Sequence, residues 1–249
     1  MKIAVKSDTG LVRENNEDAV LADPEKGIFL LADGMGGHAG GEVASKLAVR
    51  TAHDFLCSRI SSVADEELPR LLAEALAAAH SAVNRRGHEE DRLAGMGTTL
   101  EILAVRKRWA VICHLGDSRV YLFRQDSLAQ FTVDDNAAAW LKDYQGVKDE
   151  VVLRAARHIL TQAVGVSDEL VPEIRTVELQ LEDLFLLCSD GLTEMLSDRE
   201  IADIIRRGKD DLDTLAAALV DGANGAGGHD NVSVLLVAPE AIPSDLANS

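Results

Sequence analysis

Four aspartates lie at the ends of strongly apolar segments in this 249-residue chain. Asp33, Asp117 and Asp190 follow such segments, and Asp230 stands two residues before another. Short apolar runs are typical of buried strands, so each carboxylate is expected at the rim of a sheet, although each alone also fits a turn. Clustered carboxylates repel one another unless cations lie between them. Oxygen ligands without paired cysteines or histidines favour Mg²⁺ or Mn²⁺ over Zn²⁺, so the pattern predicts a divalent metal site.

The elements that must position these aspartates form an α+β pattern. Strands are predicted over 2–6, 19–21, 27–32, 98–105, 109–115, 119–123, 128–131, 173–179, 184–188 and 232–237. Helices are predicted over 43–56, 68–83, 150–159, 198–206 and 212–222. Helices inserted in pairs between runs of strands favour packed antiparallel sheets with helices outside. Residues 134–157 interrupt the pattern and are interpreted as an inserted flap.

The composition excludes several classes of protein. The chain has 42 acidic and 25 basic residues, a formal net charge of −17. This charge disfavours binding to nucleic acid and to anionic membranes. The N-terminal residues do not form the apolar core of a signal peptide, and no apolar run is long enough to span a bilayer. Three scattered cysteines are interpreted as reduced thiols, so we expect a cytoplasmic location.

Six short motifs carry a family resemblance. In chain order they are RENNED (13–18), DGMGGH (33–38), GMGTT (95–99), GDSRVY (116–121), CSDGL (188–192) and DN (230–231). Together they resemble the bacterial branch of the PP2C (PPM) metal-dependent protein serine/threonine phosphatases. The resemblance covers residues 1–238 as one catalytic domain and leaves 239–249 as a C-terminal tail. It implies a four-layer α-β-β-α sandwich, with two antiparallel sheets flanked by helix pairs.

The resemblance also implies a core site for two ions, Mn²⁺ or Mg²⁺. Asp33 corresponds to the aspartate that bridges both ions, and the carbonyl of Gly34 to a ligand of one of them. Asp190 and Asp230 correspond to ligands of the other ion. Two such ions lower the pKa of a bridging water, and the resulting hydroxide attacks phosphorus in line.

Three further acids extend this implied site. Glu17 corresponds to the remaining acidic ligand, and Asp18 beside it to a water-mediated or alternative one. Asp117 corresponds to a ligand of a third, weaker ion found in bacterial members. These three assignments follow from the family pattern alone.

Two residues are candidates for contact with the substrate. Arg13 corresponds to the arginine that holds the substrate phosphate, because a guanidinium can pair with two phosphate oxygens. His38 is a candidate general acid by its place in the Asp-Gly loop, and the alternative is a histidine that only packs the loop. No covalent phosphoenzyme is required, so no catalytic cysteine is expected.

The implied activity is hydrolysis of phosphoserine and phosphothreonine in proteins. The implied partners are a bacterial Ser/Thr kinase and its targets, and a monomer is expected. Two alternatives stay open: a phosphoprotein-binding module of the same fold without turnover, and a phosphatase of an anti-sigma partner switch. Loss of metal ligands would favour the first, and an additional sensor domain would favour the second.

Two local features depart from this interpretation. The chain reads FTVDDN at 131–136 where many members have L-T-x-D-H-S, and Gln162 stands where an arginine is common. These departures leave the implied metal ligands unchanged, but they could alter how the substrate approaches the site and where the flap lies. Residues 34–39 also match the dinucleotide motif G-x-G-x-x-A, with Asp54 twenty residues on. The charge of Asp33 and the helical pattern around Asp54 oppose that alternative.

Overall fold

Two antiparallel sheets lie face to face in the computed structural model, which describes residues 1–36 and 40–239. The strands are β1 (Lys2–Asp8), β2 (Asp18–Asp23), β3 (Ile28–Met35), β4 (Gly97–Thr98), β5 (Leu100–Arg106), β6 (Trp109–Leu115), β7 (Arg119–Arg124), β8 (Ser127–Gln130), β9 (Glu173–Glu178), β10 (Leu184–Cys188) and β11 (Val232–Ala238). The helices are α1 (Gly40–Cys57), α2 (Leu68–Glu89), α3 (Ala137–Gln145), α4 (Glu150–Ala156), α5 (Asp190–Thr193), α6 (Asp198–Gly208) and α7 (Leu212–Gly225). Across the described ranges, no helix has both the length and the hydrophobicity needed to cross a membrane.

Each of the two sheets joins strands from distant parts of the sequence. One sheet has the order β1-β11-β10-β7-β8, and the other has the order β2-β3-β5-β6-β9 with β4 beside β3. Every pairing between these strands is antiparallel. A dinucleotide fold needs a parallel sheet, and Asp54 lies within α1 and not at a strand end, so that alternative is wrong.

Three apolar clusters hold the four layers together. On β3, Phe29 and Leu31 belong to the cluster between the sheets, whereas Leu30 belongs to the cluster shared with α1 and α2. A third cluster joins β10 and β11 to α6 and α7. Successive side chains of a strand point to opposite faces, so strands buried on both faces need continuous apolar runs. This explains the apolar segments in the sequence, and it confirms the predicted sandwich of two sheets between helices.

The flap region differs from the prediction. Residues 137–145 form α3, which was not predicted, and the helix predicted over 150–159 ends at Ala156. Asn136 caps α3 by accepting a hydrogen bond from the Ala139 amide, and Gly146 ends it at a left-handed φ of 65°. α3 and α4 pack together through Ala138 and Leu153. The bounds of the flap (134–157), the domain (1–238) and the tail (239–249) stay predictions.

Candidate metal centre

A cavity of about 550 Å³ collects residues from strand ends of both sheets. Asp33 comes from β3 and Asp117 from the turn between β6 and β7. Asp190 follows β10 and Asp230 precedes β11, so all four predicted aspartates line one space. The remaining lining residues are Arg13, Glu17, Gly34, Met35, Gly36, Thr99, His158, Ile159, Leu160 and Asn231.

The backbone of Asp33 is fixed on both sides. Its amide donates to Thr99 Oγ1 at 2.9 Å, and its carbonyl accepts from Thr98 Oγ1 at 2.7 Å. Asp33 does not end its strand as predicted, because β3 continues through Gly34 and Met35, which pair with β4. The carboxylate is therefore carried by a paired strand and not by a free turn.

The aspartates in the cavity raise one another's pKa. Burial first, and then the carboxylates of Asp18, Asp190 and Asp117, hold the pKa of Asp33 well above its ordinary value. The pKa of Asp190 is also held well above its ordinary value, by burial first and then by the charges of Asp117, Glu194 and Asp230. Such a cluster favours protons or cations among its carboxylates.

Asp117 occupies one side of this cluster. Burial, followed by the charges of Asp134 and Glu101, raises the pKa of Asp117 to about 7. Its neighbour Ser118 is buried, and its hydroxyl lies 2.9 Å from Thr99 Oγ1. The Asp117 turn is thereby linked to the segment that also holds the backbone of Asp33.

Asp18 lies behind the cavity and pairs directly with Asp33 across β2 and β3. Its Oδ2 accepts a hydrogen bond from Ser189 Oγ at 2.8 Å, and burial raises its pKa to about 6. Among the described residues, neither Asp18 Oδ1 nor Asp190 Oδ1 has a hydrogen-bond partner, although both atoms are buried. Unpartnered buried oxygens next to a carboxylate cluster suit divalent cations, so the donor set fits the predicted ions.

Gly34 and Glu17 are held in close contact with the start of α1. The Gly34 amide donates to the Glu17 carbonyl at 3.2 Å. A Cβ on Gly34 would overlap the Gly41 carbonyl, and a Cβ on Gly41 would lie 2.8 Å from the Gly34 carbonyl carbon. Both positions therefore require glycine. Burial raises the pKa of Glu17, and the positive charge of Arg13 partly offsets this increase.

The Asn231 side chain, directly before β11, is hydrogen-bonded to the backbone of the loop between β1 and β2. This role was not predicted from the sequence. Its Oδ1 accepts from the Glu17 amide at 2.8 Å. Its Nδ2 donates to the carbonyls of Thr9 and Asn15 at 3.0 and 2.8 Å. The DN motif thus contributes one cavity carboxylate and one side chain that positions the segment carrying Glu17.

Arg13 reaches the cavity from that same loop. Its Nη2 donates to Asp230 Oδ2 at 2.6 Å, and the side chain is 52% exposed. Half of the side chain thus faces solvent at the rim of the cavity. This position suits recognition of an anion from outside.

A histidine at the rim was also missed. His158 follows α4, lines the cavity and pairs through Nδ1 with Glu194 Oε1 at 2.8 Å. His158, Asp190 and Glu194 place ligand-type atoms within 4.8 Å of one another. No motif in the sequence marks this pair. The predicted general acid, His38, lies outside the described residues.

The departing FTVDDN segment supports the Asp117 turn from the flap side. Arg119 donates to both oxygens of Asp134, at 2.8 and 2.7 Å. Asp135 accepts from the Gly116 amide at 3.0 Å and from Gln162 Nε2 at 3.2 Å. Two of the departing residues, Asp135 and Gln162, are therefore hydrogen-bonded to each other, and Asp135 also bonds the turn that carries Asp117.

Known proteins are similar to this chain over most of its length. A family model described as protein phosphatase 2C matches residues 12–226. Protein phosphatase PhpP of Streptococcus pneumoniae is 37% identical over 242 residues, which cover 95% of this chain and 97% of PhpP. The crystal structure of the Mycobacterium tuberculosis serine/threonine phosphatase PstP/Ppp has a TM-score of 0.85 and 36% identity, covering 94% of this chain and 97% of that one. The catalytic domain of PstP in complex with two manganese ions has a TM-score of 0.82 and 35% identity, with coverages of 94% and 96%.

Proposed function

The chain belongs to the protein phosphatase 2C family of serine/threonine protein phosphatases, and we propose that the carboxylate-lined cavity is its catalytic centre. The observation that carries this proposal is the convergence of Glu17, Asp33, Asp117, Asp190 and Asp230 on one cavity. A module that only binds phosphoproteins would be expected to lack some of these acids. The catalytic interpretation therefore has the stronger support.

The cavity residues divide into two sets of candidate ligands. Asp33, Asp190, Asp230 and the carbonyl of Gly34 would hold two divalent ions, and the two manganese ions of the PstP catalytic domain support Mn²⁺ in this place. When bound, such ions supply a water-derived nucleophile near neutral pH and neutralise charge on the phosphoryl group.

The remaining acids would complete the site. Glu17, with Asp18 behind it, would complete the core site, and Asp117 would hold a third, weaker ion beside Asp190. The hydrogen bonds to the Asp33 backbone and from the Glu17 amide to Asn231 would hold these groups in position around the ions. Such support would reduce the cost of ordering the site on binding.

The direct test is phosphate release from a phosphothreonine peptide. With Mn²⁺ or Mg²⁺ we expect turnover, and with excess EDTA we expect none, because the carboxylates alone repel a phosphate dianion. Restoring Mn²⁺ after EDTA should restore the rate, which controls for loss of protein. Equal rates in EDTA and in Mn²⁺ would contradict the proposal.

Arg13 would receive the substrate phosphate at the rim. Arg13→Ala is expected to lower kcat/KM by roughly 10- to 100-fold, mainly through KM, because a charge-assisted hydrogen bond contributes about 1.5–3 kcal/mol. The measurement is steady-state kinetics with the phosphothreonine peptide. Arg85→Ala, an exposed arginine on α2, is the matched control. An unchanged kcat/KM in Arg13→Ala would remove the proposed role.

The cellular setting extends this proposal. The substrates would be a Ser/Thr kinase and its phosphorylated targets, and the protein would act as a cytoplasmic monomer. We also take residues 1–238 as the catalytic domain. A phosphoproteome comparison between a deletion strain and its parent would identify the substrates, and a partner-switch phosphatase would instead change the phosphorylation of one anti-sigma antagonist.

A further inference from the structure

A second group of metal-ligating side chains lies away from the catalytic centre. It consists of Asp23 at the end of β2, and His53 and Cys57 near the end of α1. Asp18 pairs with Asp33 at one end of the β2–β3 hairpin, whereas Asp23 pairs with Ile28 at the other. Asp23 lies five positions after Asp18 on β2, which corresponds to about 17 Å along the strand. The two groups of ligands are therefore distinct sites.

The three ligand atoms form a compact triangle. Asp23 Oδ2 lies 2.9 Å from His53 Nε2 and 3.5 Å from Cys57 Sγ, and Sγ lies 3.1 Å from Nε2. A tetrahedral ion bonded to such ligands at about 2.0–2.3 Å separates them by about 3.3–3.7 Å. Displacements of a few tenths of an ångström would admit the ion. His53 and Cys57 are one helical turn apart, so α1 itself sets their spacing.

One neighbouring group orients the Asp23 ligand. The Lys26 amide donates to Asp23 Oδ1 at 3.0 Å, which leaves Oδ2 directed at the triangle. The other ring nitrogen of His53 lies 3.7 Å from Asp54 Oδ1, an ion-pair distance that is too long for a hydrogen bond.

The chemical types of the three ligand atoms determine which metal ion the group would prefer. Cys57 is partly exposed, whereas Cys113 and Cys188 are buried. Thiolate and imidazole ligands prefer Zn²⁺ over Mg²⁺ and Mn²⁺, the ions suited to the oxygen-lined cavity. We propose that Asp23, His53 and Cys57 bind one Zn²⁺ ion, with water in the fourth position. The thiol proton leaves to solvent as the Sγ–zinc bond forms, and the ion ties the end of α1 to the β2–β3 turn.

The first test uses Co²⁺ as a spectroscopic probe for Zn²⁺ in the full chain, with Mg²⁺ in excess to occupy the oxygen-lined cavity. We expect a thiolate-to-cobalt charge-transfer band in the near ultraviolet, displaced by one equivalent of Zn²⁺. Cys57→Ser should abolish the band, because the thiolate is the source of the charge transfer. His88→Gln, an exposed histidine at the end of α2, is the matched control and should keep the band. A wild-type spectrum without the band would overturn the proposal.

The second test follows alkylation of Cys57 by iodoacetamide with mass spectrometry. Zn²⁺ should slow alkylation at least about tenfold because the coordinated sulfur is shielded, whereas Mg²⁺ should leave the rate unchanged. His53→Gln and Asp23→Asn should remove the protection by Zn²⁺. Asp190→Asn, which alters the catalytic cavity, should retain it, so this result does not depend on the phosphatase assignment. An alkylation rate that Zn²⁺ does not change, or protection that survives His53→Gln, would overturn the zinc site.

Discussion

Asp33→Asn is expected to lower kcat for phosphate release by at least about 1,000-fold while the protein stays folded. Asp33 pairs with Asp18 and shares the cavity with Asp117, Asp190 and Asp230, and we propose that its carboxylate contacts more than one ion. Removing that charge loses several kcal/mol of transition-state stabilisation, which corresponds to a rate loss of this size.

The fold should survive because its contacts use the backbone of Asp33. Thr98 and Thr99 bond its carbonyl and amide, and an asparagine leaves both bonds in place. The neutral amide also relieves repulsion, so Asp33→Asn should be at least as stable as the wild type in EDTA. Circular dichroism and thermal unfolding measure the fold, and Mn²⁺ titration calorimetry measures the ions bound.

Asp221→Asn is the matched control for this substitution, because Asp221 is exposed on α7. Its kcat should equal that of the wild type. A kcat close to wild type in Asp33→Asn would contradict the proposed metal centre. An unfolded Asp33→Asn would instead contradict the argument that the backbone bonds hold this strand.

The convergence of the four aspartates could be predicted from sequence because each one is adjacent to a continuous apolar run. Such a run specifies a strand buried on both faces, and antiparallel pairing brings the ends of neighbouring strands together. The resemblance added the proposed ligand roles of Glu17 and Gly34. The structure then showed that Asp18 stands behind the cavity and hydrogen-bonds Ser189.

Other features were not predicted, for identifiable reasons. β4 has only two residues, which is too short for a periodic pattern, so the extension of β3 beyond Asp33 was missed. The pairing of His158 with Glu194 joins two distant segments, and neither carries a motif. α3 was missed despite available signals: Asn136 is a good helix N-cap, and Gly146 is a good C-terminal stop.

The metal-free protein is expected to lose stability as pH rises from about 4 to about 7. Burial and neighbouring carboxylates raise the folded-state pKa of Asp18 to about 6 and of Asp117 to about 7, and hold those of Asp33 and Asp190 well above 3.8. The folded chain therefore binds more protons than the unfolded chain across this window. The change in the free energy of unfolding with pH is proportional to the number of protons bound by the unfolded chain minus the number bound by the folded chain. This difference is negative here, so stability falls as pH rises.

Divalent ions should reverse this trend by replacing the protons. With saturating Mg²⁺ or Mn²⁺ the cavity carboxylates are ionised and paired, so they should no longer contribute to the pH dependence of stability between pH 5 and 8. In EDTA, a loss of a few kcal/mol over the same range would lower Tm by roughly 5–10 °C for a chain of this size. The measurement is thermal unfolding at several pH values with and without the ion.

One variant distinguishes the contribution of the cavity carboxylates to the pH dependence of stability from that of other buried titratable groups. Glu101, buried against His114, has a pKa raised to about 7 and contributes a slope of the same sign. Asp33→Asn removes one of the strongly perturbed carboxylates and lowers the pKa of its neighbours, but leaves the Glu101–His114 pair intact. It should therefore flatten the pH dependence in EDTA and weaken the stabilisation by Mg²⁺. If Tm in EDTA were instead constant from pH 5 to 8, the cavity carboxylates would not hold protons in the folded state, and the proposed exchange of protons for metal ions would be wrong.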